Sequence, residues 1–230
     1  MKVIIPLAGP DFVRPNGSTK ATIDLDGSSL LRRAIESRSW WLDGHVQASD
    51  LVFVLRDDEV SRAFARKFLG YWYGDAKIVF LSSFTRGAAL TVLAGCGLVE
   101  DMAEPICFDL ADIIFDSEID IAEVFSDPTV GGVALSFSSQ RPIYSYIRRD
   151  EKGEVVETAE KRIISEEASA GVYFFRSVPV YLAALAHVMV NEAKYTYGDI
   201  FYICPILNGV LREGLRVSSL PVTNVFDIKT

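Results

Sequence analysis

Three segments of this chain carry side chains that suit phosphate and a divalent cation. They span residues 7–20, 82–87 and 109–112, and between them they contain Arg14, Lys20, Arg86, Asp109 and Asp112. Lysine, arginine and backbone N–H groups bind phosphate. Carboxylates beside phosphate suit Mg²⁺, which takes a few hard oxygen ligands and completes its shell with substrate phosphates and water. The competing interpretation is a set of ordinary loops with solvated charges, and composition alone leaves both open.

The elements that must position these segments alternate along the first half of the chain. Strands are predicted at 3–6, 51–55, 77–81, 105–110 and 132–137, and helices at 29–37, from Asp57 or Asp58 to about 68, and at 88–99. This order predicts an α/β fold with a mostly parallel sheet that helices cover on both faces. Ligands of such sheets bind beyond the carboxyl ends of the strands, where all three segments fall.

The second half of the chain has a different pattern. Segments 144–149 and 154–159 flank Asp150-Glu151-Lys152-Gly153, which predicts a hairpin with Gly153 in the left-handed conformation. A strand at 170–176, helices at 178–193 and near 205–212, and a strand near 216–222 follow. We therefore predict one domain over residues 1–230, with a small antiparallel insertion in its second half.

Composition and charge narrow the classes of protein. The 230 residues are 50% hydrophobic, which is enough for one sizeable core, and a net charge of −8 argues against a nucleic-acid partner. The apolar N-terminus is too short for a signal peptide, and the longest apolar stretch, 178–190, is too short to cross a bilayer. We expect a cytoplasmic protein with no membrane partner, in which Cys96, Cys107 and Cys204 are buried free thiols.

A series of motifs runs in order along nearly the whole chain. Residues 4–9 are Ile-Ile-Pro-Leu-Ala-Gly, Lys20 is followed by Ile-Asp-Leu-Asp-Gly at 23–27, and the remaining motifs lie at 85–93, 105–116, 145–161, 169–174, 201–208 and 225–228. Together they resemble the motifs of the sugar-phosphate nucleotidyltransferases, the pyrophosphorylase-like enzymes that make NDP-sugars. The chain looks most similar to the short stand-alone members from capsule and surface-polysaccharide pathways.

The resemblance implies a Rossmann-like (GT-A-like) fold and a reaction between a nucleoside triphosphate and a phosphorylated small-molecule acceptor. A phosphate-monoester oxygen of the acceptor would attack the α-phosphorus, and pyrophosphate would leave. The implied catalytic residues are Arg14, Lys20 and Asp112, the nucleotide-binding residues Leu7, Ala8, Gly9, Arg86, Gly87 and Ala88, and the substrate-binding residues Glu160, Lys161 and Gly171. Asp112 and Asp227 would hold Mg²⁺, with Asp109 as the next candidate ligand.

The first loop departs from the pattern of that family. The family's GxGxR is here Gly9-Pro10-Asp11-Phe12-Val13-Arg14, in which Pro10 removes a backbone donor and no second glycine lets the backbone approach phosphate closely. Two alternatives therefore stay open. One is a catalytically impaired relative that binds a nucleotide or a partner chain, and the other is a nucleotide-sugar glycosyltransferase, whose DxD metal motif Asp109 and Asp112 fit only as DxxD.

The oligomeric state has two weak sequence indicators. The mean hydropathy of +0.22 is high for a protein of this size, and Trp40 and Trp41 are adjacent after a predicted helix. Both observations point to a possible homodimer.

Overall fold

The structure, a computed structural model, describes residues 1–228, so the last two residues of the predicted domain lie outside it. Its strands are β1 (Lys2–Leu7), β2 (Asp24–Leu25), β3 (Ser28–Ser29), β4 (Leu51–Arg56), β5 (Lys77–Leu81), β6 (Ile106–Asp109), β7 (Ile113–Asp116), β8 (Val130–Ser138), β9 (Ser145–Arg149), β10 (Val155–Glu160), β11 (Glu167–Phe175), β12 (Arg216–Pro221) and β13 (Thr223–Asp227). Its α-helices are α1 (Leu30–Glu36), α2 (Ser39–Leu42), α3 (Glu59–Phe64), α4 (Gly70–Trp72), α5 (Ala88–Cys96), α6 (Ile121–Val124), α7 (Val178–Val190), α8 (Glu192–Tyr195) and α9 (Ile203–Arg212). A π-helical turn at Ala65–Leu69 joins α3 to α4, and 3₁₀ turns lie at Lys20–Thr22 and Ala48–Asp50.

Nine of the described strands form the main sheet. Its order is β10-β9-β11-β6-β1-β4-β5, with β8 paired to β11 and β12 paired to β8. The central strands β6, β1, β4 and β5 are parallel, whereas β11 joins β6 in the antiparallel sense. The predicted α/β fold, with a parallel centre and an antiparallel addition from the second half of the chain, is confirmed.

Both faces of this sheet are buried because its central strands are apolar on both sides. Successive side chains of a strand point to opposite faces. Val3 and Ile5 of β1 pack in a cluster with residues of α1 and α3, whereas Ile4 packs in a second cluster with residues of α5, α7 and α9. Residues 51–55 of β4 are fully buried, as expected of a parallel strand that is covered on both faces.

Local sequence signals set the starts of α1 and α3 and the turn of the β9–β10 hairpin. The Ser29 hydroxyl caps α1 by accepting the Arg32 N–H, and Asp58 caps α3 by accepting the Ser61 N–H at 2.8 Å. Gly153 adopts φ +83° in the β9–β10 hairpin. These three features depend only on residues close in sequence, which is why the sequence alone could identify them.

A small sheet that the sequence does not predict brings the C-terminal segment beside the third predicted loop. Strand β13 pairs antiparallel with β7, and in this register Asp227 lies opposite Ile113 and Phe226 lies opposite Ile114. The two strands are separated by more than 100 residues along the chain, so no local pattern indicates their pairing. The register positions Asp227 next to the residue that follows Asp112.

The outer edge of β10 is held by a side chain of α9. The Asn208 amide accepts the Thr158 N–H at 3.0 Å and donates to the Thr158 carbonyl at 2.8 Å, as a neighbouring strand would. The Thr158 hydroxyl in turn donates to the Cys204 carbonyl at 2.8 Å. These bonds fix the end of β10, which carries Glu160 and is followed by Lys161, to α9.

The tryptophan pair packs within the chain itself. Trp40 is buried and meets Phe174 edge-on with ring centroids 5.1 Å apart, and Trp41 meets Tyr73 in the same way at 5.5 Å. Both tryptophan rings therefore have packing partners within the chain itself. The homodimer itself stays a prediction.

The longest apolar stretch forms helix α7. It begins after Ser177, whose hydroxyl accepts the Val180 N–H, and it has proline in its first turn, where the missing N–H has no helical partner to lose. The side of the helix that carries Tyr181 and Leu185 is buried. Within residues 1–228 no helix has both the length and the apolar character that a membrane crossing requires.

The cysteines are buried free thiols, as predicted. Burial raises the pKa of each, that of Cys96 to about 12. The thiolate is the reactive form of cysteine, so these three side chains act as packing residues in the native protein.

Four strands of the second half are tied together by one glutamate. Glu167 of β11 accepts from both Arg149 Nε, at 2.9 Å, and Arg149 Nη2, at 3.0 Å, and also from the Ser136 hydroxyl at 3.0 Å. Arg149 also donates to the Ser219 carbonyl at 2.8 Å. Burial raises the pKa of Glu167, but the hydrogen bonds and the charge of Arg149 outweigh it, so the net pKa lies below its usual value.

We expect Glu167→Gln to lower the free energy of unfolding at pH 7 by about 1–3 kcal/mol, because a charge-assisted network is lost. A carboxyl with a lowered folded-state pKa stabilises the protein above the unfolded pKa of about 4.3, and this contribution disappears as pH falls through the folded value. Urea unfolding at pH 7 and pH 3.5 should therefore give a smaller difference at the lower pH.

Glu154→Gln is the matched control for this prediction. Glu154 pairs with Arg216 at the surface, where both side chains are about half exposed, so its loss should cost less than about 1 kcal/mol. An equal loss for the two variants, or a difference that does not change with pH, would contradict the role given to Glu167.

Candidate active site

The carboxyl ends of the parallel strands open into a cleft of about 700 Å³. The loop after β1, the start of α5, the turn between β6 and β7, the end of β10 and the middle of β11 surround it. Among the predicted site residues, the cleft brings together Leu7, Ala8, Gly9, Lys20, Gly87, Ala88, Asp112, Glu160, Lys161 and Gly171. Strand-end loops that are distant in sequence thus meet where the parallel topology predicts.

Two predicted arginines lie outside the residues that line this cleft. Arg14 is exposed, in a turn where its N–H donates to the Ser18 carbonyl. Arg86 turns toward α8, where its guanidinium pairs with Glu192 at 3.1 Å and lies over the Phe201 ring. Of the two cations predicted in the first loop, Lys20 is the one that reaches the cleft.

Lys20 lies between two carboxylates. Its Nζ is 3.2 Å from Asp11 Oδ2 and 3.6 Å from Asp112 Oδ2. The Lys20 N–H donates to the Phe12 carbonyl at 2.8 Å, which folds the first loop back over itself and brings the lysine to the cleft. Asp11 is largely exposed whereas Asp112 is buried, so the Asp11 contact is the weaker of the two.

Asp227 is buried at the end of β13 and is not among the residues that line the cleft, but its partner Tyr144 is. Its Oδ2 accepts from the Tyr144 hydroxyl at 2.6 Å, and Tyr144 itself lines the cleft. Burial, with the adjacent Asp227 carboxylate, raises the pKa of Tyr144 to about 12. Tyr144 therefore stays protonated at neutral pH and acts as the donor, which holds the carboxylate in position. Nothing in the sequence identified Tyr144, because its partner lies 83 residues away.

The donor set at this point fits a hard divalent cation. Asp112 and Asp227 come from neighbouring ends of the β7–β13 sheet and supply carboxylate oxygens. Within residues 1–228 no group of three or more His, Cys, Asp or Glu side chains is arranged to hold a metal. An ion bound to two carboxylates would take its other ligands from phosphate and water, which is the manner in which proteins usually hold Mg²⁺.

Asp109, the next candidate metal ligand in the sequence, instead forms a buried ion pair with Arg38. Arg38 donates to both of its oxygens, at 2.9 and 3.1 Å, in an ion pair whose side chains are 1% and 2% exposed. Arg38 also donates to the Ile113 carbonyl at 3.0 Å, and Asp109 accepts the Ala111 N–H at 2.8 Å. With its oxygens committed to Arg38 beneath the cleft, Asp109 holds the turn that carries Asp112.

The opposite wall of the cleft carries Glu160 and Lys161. The Ser145 hydroxyl donates to the Glu160 carboxylate. Lys161 adopts φ +52°, an uncommon conformation for a residue with a side chain, and its Nζ donates to the Tyr202 hydroxyl at 3.2 Å. The Lys161 N–H donates to the Tyr144 carbonyl, so the wall is tied to the residue that holds Asp227.

Gly171 connects this wall to the Asp112 turn. It adopts φ +77°, and its carbonyl accepts the Leu110 N–H at 3.0 Å. A side chain built at this position would contact Asp112 Oδ1 and Leu110 at about 3.5 Å. The absence of a side chain keeps the space beside Asp112 open.

Comparisons with known proteins agree with this architecture at the level of the fold. The sequence matches no protein-family model and no curated protein. Among solved structures, the nucleoside-diphosphate-sugar pyrophosphorylase from Vibrio cholerae RC9 matches with a TM-score of 0.79 and 22% identity, over 99% of this chain and 95% of that chain. The inositol-1-phosphate CTP transferase from T. maritima matches with a TM-score of 0.70 and 16% identity, over 100% of this chain and 89% of that chain.

A UDP-glucose pyrophosphorylase complexed with UDP-glucose also matches, with a TM-score of 0.70 and 16% identity, over 100% of this chain and 93% of that chain. The chain therefore has the Rossmann-like fold of these proteins. They bear the names of pyrophosphorylases and a nucleotidyltransferase, the class of enzyme that the sequence motifs resemble.

Gly87 should be intolerant of substitution because it lies at a close approach of two backbones. It adopts φ +117°, and an added Cβ would lie 2.3 Å from the Phe201 carbonyl oxygen. Gly153 also has positive φ, but an added Cβ there meets nothing within 4 Å. We expect Gly87→Ala to lower the free energy of unfolding by more than about 3 kcal/mol, and Gly153→Ala by about 1–2 kcal/mol, measured by urea unfolding. Equal losses would mean that the loop before α5 does not depend on its contact with Phe201.

Proposed function

We propose that this protein is a nucleotidyltransferase. It transfers the nucleotidyl group of a nucleoside triphosphate to the phosphate of a sugar phosphate or a similar phosphorylated small molecule, and pyrophosphate is released. The observation that carries the proposal is that one cleft gathers the loop after β1, Lys20, the start of α5, Asp112 and Lys161. The names of the solved structures that share the fold support the same reaction class.

The nucleotide lies at the end of the cleft formed by the first loop and α5. Leu7, Ala8 and Gly9 contact the base and ribose through the backbone, and Gly87 and Ala88 close the other side of the base. The pyrophosphate end of the triphosphate meets Lys20, whose Nζ exchanges its solvent-exposed partner Asp11 for phosphate oxygens. This exchange costs little free energy, because an exposed ion pair contributes little to stability.

Asp112 and Asp227 would hold the divalent cation through their carboxylate oxygens. When bound, Mg²⁺ supplies a Lewis acid next to the reacting phosphoryl group. Tyr144 keeps the Asp227 carboxylate oriented through its hydroxyl, and the pair of Arg38 with Asp109 keeps Asp112 in place. Positioned charges of this kind act where negative charge accumulates, with no covalent enzyme intermediate.

The acceptor lies against the opposite wall. Lys161 binds its phosphate as a point charge, Glu160 accepts a hydrogen bond from a hydroxyl of its organic part, and Gly171 allows it to approach Asp112. The attacking phosphate oxygen and the α-phosphorus are thus held together between Lys161 and Asp112. Alignment of two bound reactants accounts for a large share of the rate of such bimolecular reactions.

The assay that tests the proposal also separates the two alternatives. CTP, UTP, GTP and dTTP are each combined with a panel of phosphorylated sugars and alcohols and Mg²⁺, and pyrophosphate is measured. Pyrophosphate release that requires both substrates supports the proposal. Release of a nucleoside diphosphate from an NDP-sugar indicates a glycosyltransferase. A thermal shift with nucleotide but no turnover indicates a binding protein, and saturation at 100 times Kd stabilises the fold by about 2.7 kcal/mol.

We expect Asp112→Ala to lower kcat by at least about 10²–10³-fold, because a group that positions charge in the transition state is lost. Its fold should be retained, as judged by circular dichroism and urea unfolding. Asp116→Ala is the matched control, since Asp116 ends strand β7, which begins directly after Asp112, is exposed and contacts Asn224 outside the cleft. A kcat for Asp112→Ala equal to that of Asp116→Ala would remove Asp112 from the reaction.

We expect Lys161→Ala to raise the KM for the acceptor about 10–100-fold while the KM for the nucleotide changes little, because the lysine contacts only the acceptor phosphate. Steady-state kinetics with each substrate varied in turn separates the two constants. Lys152→Ala, in the exposed β9–β10 turn, is the control. An unchanged acceptor KM would assign Lys161 to the structure of the wall alone.

A further inference from the structure

A second cavity, of about 870 Å³, lies on the far side of Glu160 and Lys161. It is bounded by the edge strand β10 and by helices α8 and α9. Glu160 and Lys161 line both this cavity and the cleft, so the two spaces meet at these residues. We refer to the cavity as the basic groove, defined by its cations Arg148, Lys161, Arg162, Lys194 and Arg212. The reaction proposed above uses none of these cations except Lys161.

The charge of the basic groove is opposite in sign to that of the whole chain. Its lining contains five cationic side chains and two carboxylates, those of Glu157 and Glu160, which gives a local balance of +3. The chain as a whole carries −8. A concave surface lined by one sign of charge focuses the electrostatic potential and attracts small ions of the opposite sign.

The two sides of the groove differ in how their cations are neutralised. On the β10 side, Glu157 forms ion pairs with both Arg148 and Arg162. On the helical side, Lys194 and Arg212 are exposed and have no ion pair with any residue of the described chain. A pair of cations on a flat surface would simply be solvated. Here they face a cavity of a size that small ligands occupy.

The junction between groove and cleft is built around the ammonium group of Lys161. Its Nζ lies 5.2 Å from the ring centroids of both Tyr197 and Tyr202, which hold it by cation–π contact in addition to the hydrogen bond from Nζ to the Tyr202 hydroxyl. Tyr202 lines the cleft and Tyr197 lines the groove. A phosphate bound at Lys161 can therefore have its organic part extend into the groove, along the half-exposed ring of Tyr197.

We infer that the acceptor carries a second anionic group, a carboxylate or a second phosphate, which the basic groove binds through Lys194 and Arg212 while the reacting phosphate lies at Lys161. This inference rests on the proposed function for its reacting end. The groove's affinity for the second anion depends only on the charges that surround it, so it can be measured without turnover.

The kinetic experiment compares three acceptors in the pyrophosphate assay: glucose 1-phosphate, glucuronic acid 1-phosphate and glucose 1,6-bisphosphate. We expect kcat/KM to favour at least one doubly functionalised acceptor over glucose 1-phosphate by about tenfold. In Lys194→Gln/Arg212→Gln this preference should fall to about one. The control Arg66→Gln/Lys67→Gln makes the same change in charge at exposed positions of the π-helical turn after α3, outside the basic groove, and should keep the preference. Comparison of glucuronic acid 1-phosphate with glucose 1,6-bisphosphate shows whether the groove binds a carboxylate or a phosphate.

A direct binding measurement tests the basic groove independently of the proposed nucleotidyltransferase activity. Glucose 1,6-bisphosphate and glucose 1-phosphate are titrated calorimetrically into the wild type and both double variants at low and high salt. Tighter binding of the bisphosphate, lost in Lys194→Gln/Arg212→Gln and at high salt but kept in the control, supports the groove even where no triphosphate turns over. Equal binding of both ligands by all three proteins would overturn the inference that the groove binds a second anion. Absence of pyrophosphate release with every substrate pair would overturn only the proposed function.

Discussion

An ion pair sealed from solvent, Arg38 with Asp109, sets the position of the turn that carries Asp112 at the cleft. Removal of Arg38 and Asp109 from water costs several kcal/mol for each charge, and this cost is offset only where geometry is good and other polar atoms are satisfied. Here the contact is bidentate and the backbone of the turn supplies further bonds. Arg38 Nη1 has no hydrogen-bond partner among the described residues, and the guanidinium lies 3.8 Å from the Phe115 ring centre. The turn can therefore hold Ala111 at φ +50°, a conformation that a residue with a side chain rarely adopts alone.

The remainder of the cleft is assembled by backbone bonds between segments that are distant in sequence. Leu110 bonds to Gly171, Lys161 bonds to Tyr144, and Phe201 bonds to Arg86. The first and third bonds join a loop of the parallel half to the second half of the chain, and the second bond ties Lys161 to Tyr144, which holds Asp227. The wall that carries Glu160 and Lys161 thus has a fixed distance from the turn that carries Asp112, which is what the proposed reaction between two bound substrates would require.

Much of the fold follows from the sequence because its signals are local. Continuous apolar runs identify β1, β4, β5 and β6, and the caps Ser29 and Asp58 identify the starts of α1 and α3. The strand-end position of Asp112 follows in the same way. The β7–β13 pairing, by contrast, depends on a register between segments more than 100 residues apart, for which no local pattern exists.

Side-chain direction is the second quantity that the sequence does not determine. Arg14, Lys20 and Arg86 are equivalent as loop cations in the sequence, yet Lys20 enters the cleft and Arg86 turns to Glu192. Likewise the sequence does not distinguish Asp109 from Asp112 as strand-end carboxylates. In the structure the buried Arg38 pairs with Asp109, whereas Asp112 lines the cleft. In both cases the partner that decides the direction comes from another part of the chain.

The contact of Asn208 with Thr158 has a consequence for how molecules of this protein behave at high concentration. An uncovered edge strand offers its N–H and C=O groups to a strand from another molecule, and growth of such contacts leads to fibrils. At the outer edge of β10 the amide of Asn208 already occupies both groups at the middle of the strand. An incoming strand cannot form a continuous ladder there, so this flank of the sheet is protected from intermolecular β-association by a single side chain.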